Sequence, residues 1–389
     1  MPVNDVAGDF RHIDLFCGPG GFATGFEWAG FSTVFGLDVH APSLSTYERN
    51  HPNAKVLLAD IRDVVPEQIP SANGPDTRVV LSAGVPCEGF SMSNRNRTKF
   101  TDERNFLFVE FLRIAEALNP DVLLVENVAN LARHEGGFFA QEIEAGMADL
   151  GYATTSRILD AADFGVPQRR RRLMFVGLRD GRSFRWPEPT HGIVGDRLPF
   201  VTIREAILED LPELTSGECR DKYSGQARSK YAKFLRGGRR ELLNHQAPNH
   251  PQSTIDRIAR TLPGEPMYSS FRQRIRLDPD SISPTIVSGG IRPQFAYGHP
   301  TQARGLSIRE RARLMSFPDS YEFLGGITQG RVQTGDAVPP LLARAVALAI
   351  MDGLAGRTPY EQSDLGKSHV ASIVEGHALQ AELPIEFPV

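Results

Sequence analysis

The stretch Asp14-Leu15-Phe16-Cys17-Gly18-Pro19-Gly20-Gly21-Phe22 decides the fold. It joins an apolar strand, Arg11 to Phe16, to a helix, Gly20 to Ala29, through a glycine turn. Glycines let the backbone pass close to a ligand, and a helix N-terminus favours negative groups. Thr33 to Leu37 reads as the next strand and runs into Asp38, where an acid in such a unit holds a ribose hydroxyl. Gly18, Gly20 and Ala23 also satisfy the relaxed dinucleotide spacing. The turn therefore specifies a nucleoside cofactor and leaves NAD and S-adenosylmethionine both open. Asp60-Ile61, after a third strand over Lys55 to Leu58, is placed to receive an adenine amino group.

Outward from this unit the same rhythm continues. Pro42 to Asn50 reads as a helix, Val79 to Gly84 as a strand, Asn105 to Leu118 as a helix and Asp121 to Glu126 as a strand. Phe138 to Leu150 is an amphipathic helix, and Tyr152 to Leu159 with Leu173 to Leu178 make a closing strand pair. Alternating strands and helices predict a doubly wound, mostly parallel α/β sheet. The rhythm stops near Arg185-Trp186-Pro187-Glu188-Pro189. From there to about Gly330 the chain is rich in Pro, Gly, Arg and His, which suits a small, loop-rich domain. Pro339-Pro340 then opens an apolar helix, Leu341 to Leu354, returning to the first domain. The expected division is 1–188, 189–329 and 330–389, the last part ending in a tail without pattern.

The chain has 389 residues, a net charge of −4 and the hydrophobic content of a soluble globular protein. No apolar run reads as a membrane span, and Met1 to Asp9 is acidic without an apolar signal segment. Cys17, Cys87 and Cys219 are too few for a disulfide framework, and no Cys/His spacing suggests zinc or another metal. These features predict a reduced, cytoplasmic enzyme. Only six of the 43 basic residues are lysine, a bias that suits guanine and phosphate contacts but equally a GC-rich genome. Between Arg220 and Arg240 eight basic side chains share the segment with one acid, Asp221, and with Tyr223, Tyr231 and Phe234. That pattern predicts a nucleic-acid-facing surface, although a solvated basic loop has the same composition.

Three further motifs carry chemistry. Cys87 follows the strand Val79 to Gly84 in Gly84-Val85-Pro86-Cys87-Glu88-Gly89-Phe90-Ser91, at a sheet edge where ligands bind. Arg95, Arg97, Lys99 and Arg104 follow, and an electropositive setting is what a thiolate needs. Alone, a cysteine is as often a small buried hydrophobe. Glu126-Asn127-Val128 ends the neighbouring strand, so the acid can share a pocket with the thiolate and donate a proton there. In Gly165-Val166-Pro167-Gln168-Arg169-Arg170-Arg171-Arg172, extended backbone puts Arg170 and Arg172 on one face.

In this order the motifs resemble the cytosine-5 DNA methyltransferases. Asp102-Glu103-Arg104-Asn105-Phe106-Leu107-Phe108, Arg276 to Thr285, Arg309 to Pro318 and Gly335-Asp336-Ala337-Val338-Pro339 extend the resemblance. It covers about Ile13 to Leu354, apart from the segment between Trp186 and Leu262. It implies a Rossmann-like S-adenosylmethionine-dependent domain with an inserted target-recognition domain. Phe16, Gly18, Pro19, Gly21, Asp38, Val39, Asp60, Ile61, Pro86, Leu107, Asp336 and Val338 would hold the cofactor. Cys87 would be the nucleophile, Glu126 would bind the cytosine edge, Arg172 its carbonyl oxygen, and Arg170 would lie beside them. Ser91, Arg95 and Arg97 in the loop to Thr101, with Arg239, Arg240 and Thr261 in the unmatched segment, would meet DNA. Glu88 stands where the family most often has Gln, and Asp336 where it has Asn.

The resemblance implies double-stranded DNA as partner, a monomer without membrane attachment, and a nucleoid-associated location. A cognate restriction endonuclease is a companion such enzymes can have; these residues fit a solitary enzyme as well. A tRNA cytosine-5 methyltransferase and a catalytically silent DNA-binding protein of the same fold are the rival readings. Intact Cys87, Glu126 and Arg172 argue against the silent one. An NAD-dependent oxidoreductase would leave Pro86-Cys87 and the arginines unexplained.

Overall fold

A computed structural model describes residues 9–70, 74, 76–86, 107–182, 184–288 and 296–355. Strands β1 (Asp9–Leu15), β2 (Ser32–Asp38), β3 (Lys55–Leu58), β4 (Thr77–Gly84), β5 (Val122–Val128), β6 (Ala153–Asp160) and β7 (Arg171–Leu178) form one sheet. Its order is β3-β2-β1-β4-β5-β7-β6. β1 to β5 run parallel, and β7 enters antiparallel between β5 and β6. Helices α1 (Gly21–Trp28), α2 (Ala41–Asn50), α3 (Leu107–Leu118) and α4 (Phe138–Asp149) form the crossovers. The order reverses between β1 and β4, and a crevice at such a switch point is where ligands sit.

Both faces of the sheet are covered, which is why its central strands read as unbroken apolar runs. Val122, Leu124, Met174 and Val176 pack with Phe22 and Phe26 of α1 and with α10 (Pro340–Leu354). Leu123, Val125, Leu173 and Phe175 pack on the other side with Phe111 of α3 and Met147 of α4. Alternation along each strand thus builds two apolar layers from one sequence pattern. The expected strands and helices of this half are all present, with ends shifted by at most two residues, and the helix start expected at Asn105 lies outside the described residues. Gly326–Leu354 is long and apolar enough to cross a membrane, a span the sequence reading did not see, yet 61% of its apolar window is buried inside the fold. It is a core helix pair, α9 (Gly326–Asp336) and α10, with α10 packed on α1.

The loop-rich half carries α5 (Ile203–Ile207), α6 (Lys230–Arg236), α7 (Gln252–Arg260) and α8 (Ile308–Leu314). Its apolar residues Ala206, Tyr231, Leu235, Ile308 and Phe317 belong to the same cluster as α1 and α10. Every residue of α8 is buried although three of its seven are arginines. Arg313 meets Asp210 at 2.6 Å and Asp319 at 2.6 Å. Arg309 is spent on the carbonyls of Leu243, Pro318 and Tyr321.

Beneath the switch point lies a buried polar chain. Ser82 donates to Asp14 Oδ1 at 2.8 Å, so His12 Nε2, 2.8 Å from the same hydroxyl, must donate to it. Burial drives the His12 pKa down to about 3 and the Asp14 pKa up to about 8. Below about pH 4 folded and unfolded chains both hold the Asp14 proton. Between the unfolded value and about 8 only the folded chain keeps it, so this contribution to stability is lost as pH rises through the folded pKa. We expect Asp14→Asn to lose less stability than wild type between pH 5 and 8.5, the gap changing by on the order of a few kcal/mol. Denaturant titrations at both pH values measure it, and parallel losses would refute it.

Candidate active site

Four strand ends converge at the crevice. Gly84 of β4 is in register with Glu126 of β5, and Leu15 of β1 with Ala83. A Cβ built on Gly84 would lie 3.7 Å from the Phe16 carbonyl oxygen and 3.8 Å from Glu126 Oε2. The glycine turn and the acid therefore border the same space. On the antiparallel β5/β7 ladder Val128 faces Arg172 and Glu126 faces Met174, which makes Glu126 and Arg172 diagonal neighbours on one face. Arg172 Nε meets Glu126 Oε1 at 2.6 Å, both side chains being nearly buried.

Cys87, Ser91, Arg95 and Arg97 lie outside the described residues, as does Glu88. The chain is described as far as Pro86, and Asn127 Nδ2 donates to the Val85 carbonyl at 3.3 Å. Buried Asn127 thus fixes the exit of β4 toward Cys87, a role its place in the motif did not reveal.

On the other side of the crevice Phe16, Gly18 and Gly20 have φ of 55°, 53° and 96°. A left-handed phenylalanine is costly and persists where surrounding structure imposes it. Both Asp38 oxygens accept backbone N–H groups, from Gly18 and His40, each at 2.7 Å. Burial pushes the Asp38 pKa up, and these two donors oppose that shift. Val39 and Leu58, 70% and 55% exposed, form an open apolar ledge beside it, with Asp60 held by Arg62 at 2.7 Å. Leu58 had no signal in the sequence beyond ending β3; its register partner is Asp38.

The other expected cofactor residues differ in burial and packing. A Cβ on Gly21 would fall 2.0 Å from the Val338 carbonyl oxygen, so chain packing demands that glycine. Ile61 belongs to the apolar layer beneath the sheet. Pro19 and Val338 are buried, Pro86 and Leu107 half-buried, and Asp336 exposed at the end of α9.

Arg170 is buried close to Arg172 and Glu126. It shares a face with Arg172 in sequence but precedes β7, and its guanidinium donates to Ile286, Gly335 and Ala337 carbonyls at 2.8, 2.7 and 2.9 Å. It is 1% exposed and ties the chain around Val338 to the arginine motif. Arg169 lies over the Phe200 ring at 4.4 Å, and Arg171 is exposed.

Residues 10–352 match the family model described as C-5 cytosine-specific DNA methylase. The chain belongs to that family. Type II methyltransferase M1.HphI of Haemophilus parahaemolyticus is 34% identical over 351 residues, covering 87% of this chain and 86% of that one. Type II methyltransferase M.AgeI of Thalassovita gelatinovora is 31% identical, covering 87% of this chain and 99% of the relative. A prophage-encoded Escherichia coli protein described as a DNA modification methyltransferase has the same fold, with a TM-score of 0.74 at 23% identity over 89% of this chain and 99% of that one. Schizosaccharomyces pombe Dnmt2 superposes with a TM-score of 0.57 at 16% identity over 89% of this chain and 98% of its own. The Rossmann-like methyltransferase fold expected from the sequence is borne out.

In this cytosine-5 methylase the basic stretch Arg220 to Arg240 keeps most of its basic side chains exposed. Its aromatic rings turn inward. Tyr231 is buried with its hydroxyl on the Arg313 carbonyl, and Tyr223 donates to Asp319 at 2.7 Å beneath the Arg236 guanidinium at 3.8 Å. Phe234 meets Trp28 edge-on at 5.1 Å. The reason is helical spacing on α6, where Tyr231, Ala232 and Leu235 form the core stripe. Gly237 and Gly238 are both left-handed and bend the chain after α6, with Arg239 half-buried and Arg240 exposed beyond them. Thr261 caps α7, its hydroxyl donating to the Arg257 carbonyl at 2.8 Å.

A different element joins arginine to aromatic rings at the surface. Residues 265–276 fold back on themselves, with Met267 N donating to the Arg274 carbonyl at 2.8 Å and Pro266 bridging Ile275. Arg257 of α7 lies 4.3 Å over Tyr268, and Arg274 lies 4.5 Å over Phe271. Arg272 and Gln273 are exposed at the tip. This hairpin falls outside the segment expected to meet DNA, because that segment ends at Leu262, just before it.

Proposed function

We propose that this methylase binds double-stranded DNA between its sheet edge and the 189–329 region, extrudes a cytosine, and methylates carbon 5 with Cys87 as covalent catalyst. The Glu126–Arg172 pair at the rim shared with the glycine turn carries this reading. S-adenosylmethionine fits the left-handed turn, the Asp38 carboxylate and the Val39–Leu58 ledge, and when bound it supplies an electrophilic methyl group. The base must leave the duplex, because none of these groups can reach a stacked ring.

Carbon 5 of cytosine is a poor nucleophile. Addition of the Cys87 thiolate to carbon 6 gives it enamine character. Glu126, hydrogen-bonded at ring nitrogen 3, and Arg172, at the carbonyl oxygen, stabilise the charge that this addition pushes into the ring. After carbon 5 gains the methyl group it loses its proton, and the sulfur leaves from carbon 6. Expression in a methylation-free bacterial host followed by bisulfite sequencing tests the reading. Protected cytosines at one short sequence are expected; complete conversion of the DNA, or protection confined to the cell's tRNA, overturns it. We place the protein in the cytoplasm as a monomer, in the setting of type II modification.

The assignment of Asp38 predicts a graded result. Asp38→Ala removes a ribose acceptor and strands two amide donors, so S-adenosylmethionine binding should weaken by roughly 1.5–3 kcal/mol or more. Asp38→Asn keeps one acceptor and should fall between. Calorimetry reads both, and unchanged affinity would remove Asp38 from the site.

A further inference from the structure

The glycine turn is gripped from behind by residues outside every motif named above for the cofactor. Gly20, the left-handed N-cap of α1, has no room for a side chain: a Cβ would lie 2.5 Å from Tyr321 Oη and 2.6 Å from His51 Nε2. The Tyr321 hydroxyl donates to the Pro19 carbonyl, across 302 residues of sequence. His51 Nε2 lies 3.1 Å from the same hydroxyl, and its Nδ1 lies 2.8 Å from Glu27 Oε1. Thr24 closes the turn from inside the helix by donating to the Gly20 carbonyl at 2.8 Å.

The hydrogens of this relay can be counted. Burial pushes the Tyr321 pKa well up, so the phenol keeps its hydrogen and directs it to Pro19. Its oxygen is left facing His51 Nε2, while the far side of the same ring is held by Glu27. His51 and Tyr321 are 3% exposed each.

We propose that Tyr321, oriented by His51, is a positioning residue that fixes the Pro19–Gly20 peptide plane and so sets the cofactor-binding turn. The peptide between Pro19 and Gly20 controls the φ of 96° at Gly20, and with it the direction of the amides opening α1. Nothing in α1 itself holds the Pro19 carbonyl. Tyr321 is anchored in turn, its carbonyl taking Arg309, whose Nε donates to the Leu243 carbonyl at 2.9 Å. Glu322 is clamped on Asn50 of α2 by hydrogen bonds of 2.9 Å in both directions. The turn is thus held by a segment returning from the recognition region.

This inference rests on the S-adenosylmethionine reading, and its test separates the two. Titration calorimetry with S-adenosylhomocysteine, a stable probe of the same pocket, is run on wild type, Tyr321→Phe, His51→Gln and His51→Leu, with melting temperatures recorded without ligand. Tyr321→Phe should weaken binding roughly tenfold, the size of one lost hydrogen bond. The KM for S-adenosylmethionine should rise in parallel, with kcat at saturation and the KM for DNA nearly unmoved. His51→Gln keeps a donor toward the phenol and should bind more tightly than His51→Leu. A lower melting temperature with unchanged affinity in Tyr321→Phe and in both His51 variants would overturn the inference, as would a fall in kcat with unchanged KM. No binding to wild type would overturn the cofactor reading itself.

Discussion

Cys87→Ser is expected to cut methyl transfer by at least about a thousandfold, as loss of a covalent nucleophile does elsewhere. Affinity for S-adenosylmethionine should stay within about twofold, because the turn, Asp38 and the ledge lie on β1, β2 and β3 rather than on β4. A serine hydroxyl ionises far less readily than a thiol, for which an electropositive setting is enough. The same mechanism predicts capture. If carbon 5 carries fluorine, the last step has no proton to lose, so the bond between Cys87 sulfur and carbon 6 cannot break. Wild type incubated with a cognate duplex containing 5-fluorocytosine should give a complex that survives denaturation, and Cys87→Ser should give none. A cognate duplex that is methylated normally yet never traps wild type would sink covalent catalysis.

Glu126 and Arg172 shape how variants of this site must be read. Their 2.6 Å contact is nearly buried, so removing one partner leaves the other charge without its counter-ion. A single alanine variant would mix a catalytic loss with that penalty. The informative comparison is Glu126→Gln, which keeps a hydrogen-bond acceptor toward Arg172 while changing what ring nitrogen 3 meets.

The sheet was legible because its strands are short, apolar and spaced by helices of the right period. Lys55 to Leu58 was read to the residue, as was the end of β4 at Gly84, whereas β5 runs two residues past Glu126 to Val128. What hydropathy could not reveal is charge that is buried. Arg309, Arg311 and Arg313 give α8 a strongly polar composition, yet each finds carboxylates, hydroxyls or carbonyls inside the fold. Arg170 is another such buried charge. Alternation predicted its face correctly but could not say that three backbone carbonyls wait there. The Tyr321–His51–Glu27 relay joins residues hundreds of positions apart and has no local pattern at all.

The second large effect concerns target choice, where the sequence pointed to the unmatched segment between Trp186 and Leu262 and the fold shifts the weight. The rings among Arg220 to Arg240 serve the core, which leaves Arg239 and Arg240 after the Gly237-Gly238 bend as that segment's candidates. The exposed arginine–aromatic surface lies instead on α7 and the hairpin over 265–276. Stacking on Tyr268 and Phe271 holds Arg257 and Arg274 in place, and pre-set side chains lose less entropy on binding. We therefore expect a chimera carrying 189–277 from a relative of known specificity to methylate the relative's site. A chimera exchanging only 189–264 should change some positions of the site and keep others. Within the hairpin, Arg272→Ala should cost about 1–3 kcal/mol on the cognate sequence and relax one base position. Loss at a phosphate contact would look different, weakening all duplexes alike and flattening the salt dependence. Bisulfite sequencing of cells expressing each chimera reads the outcome. An active 189–277 chimera that still methylates the original site would move target choice out of this region altogether.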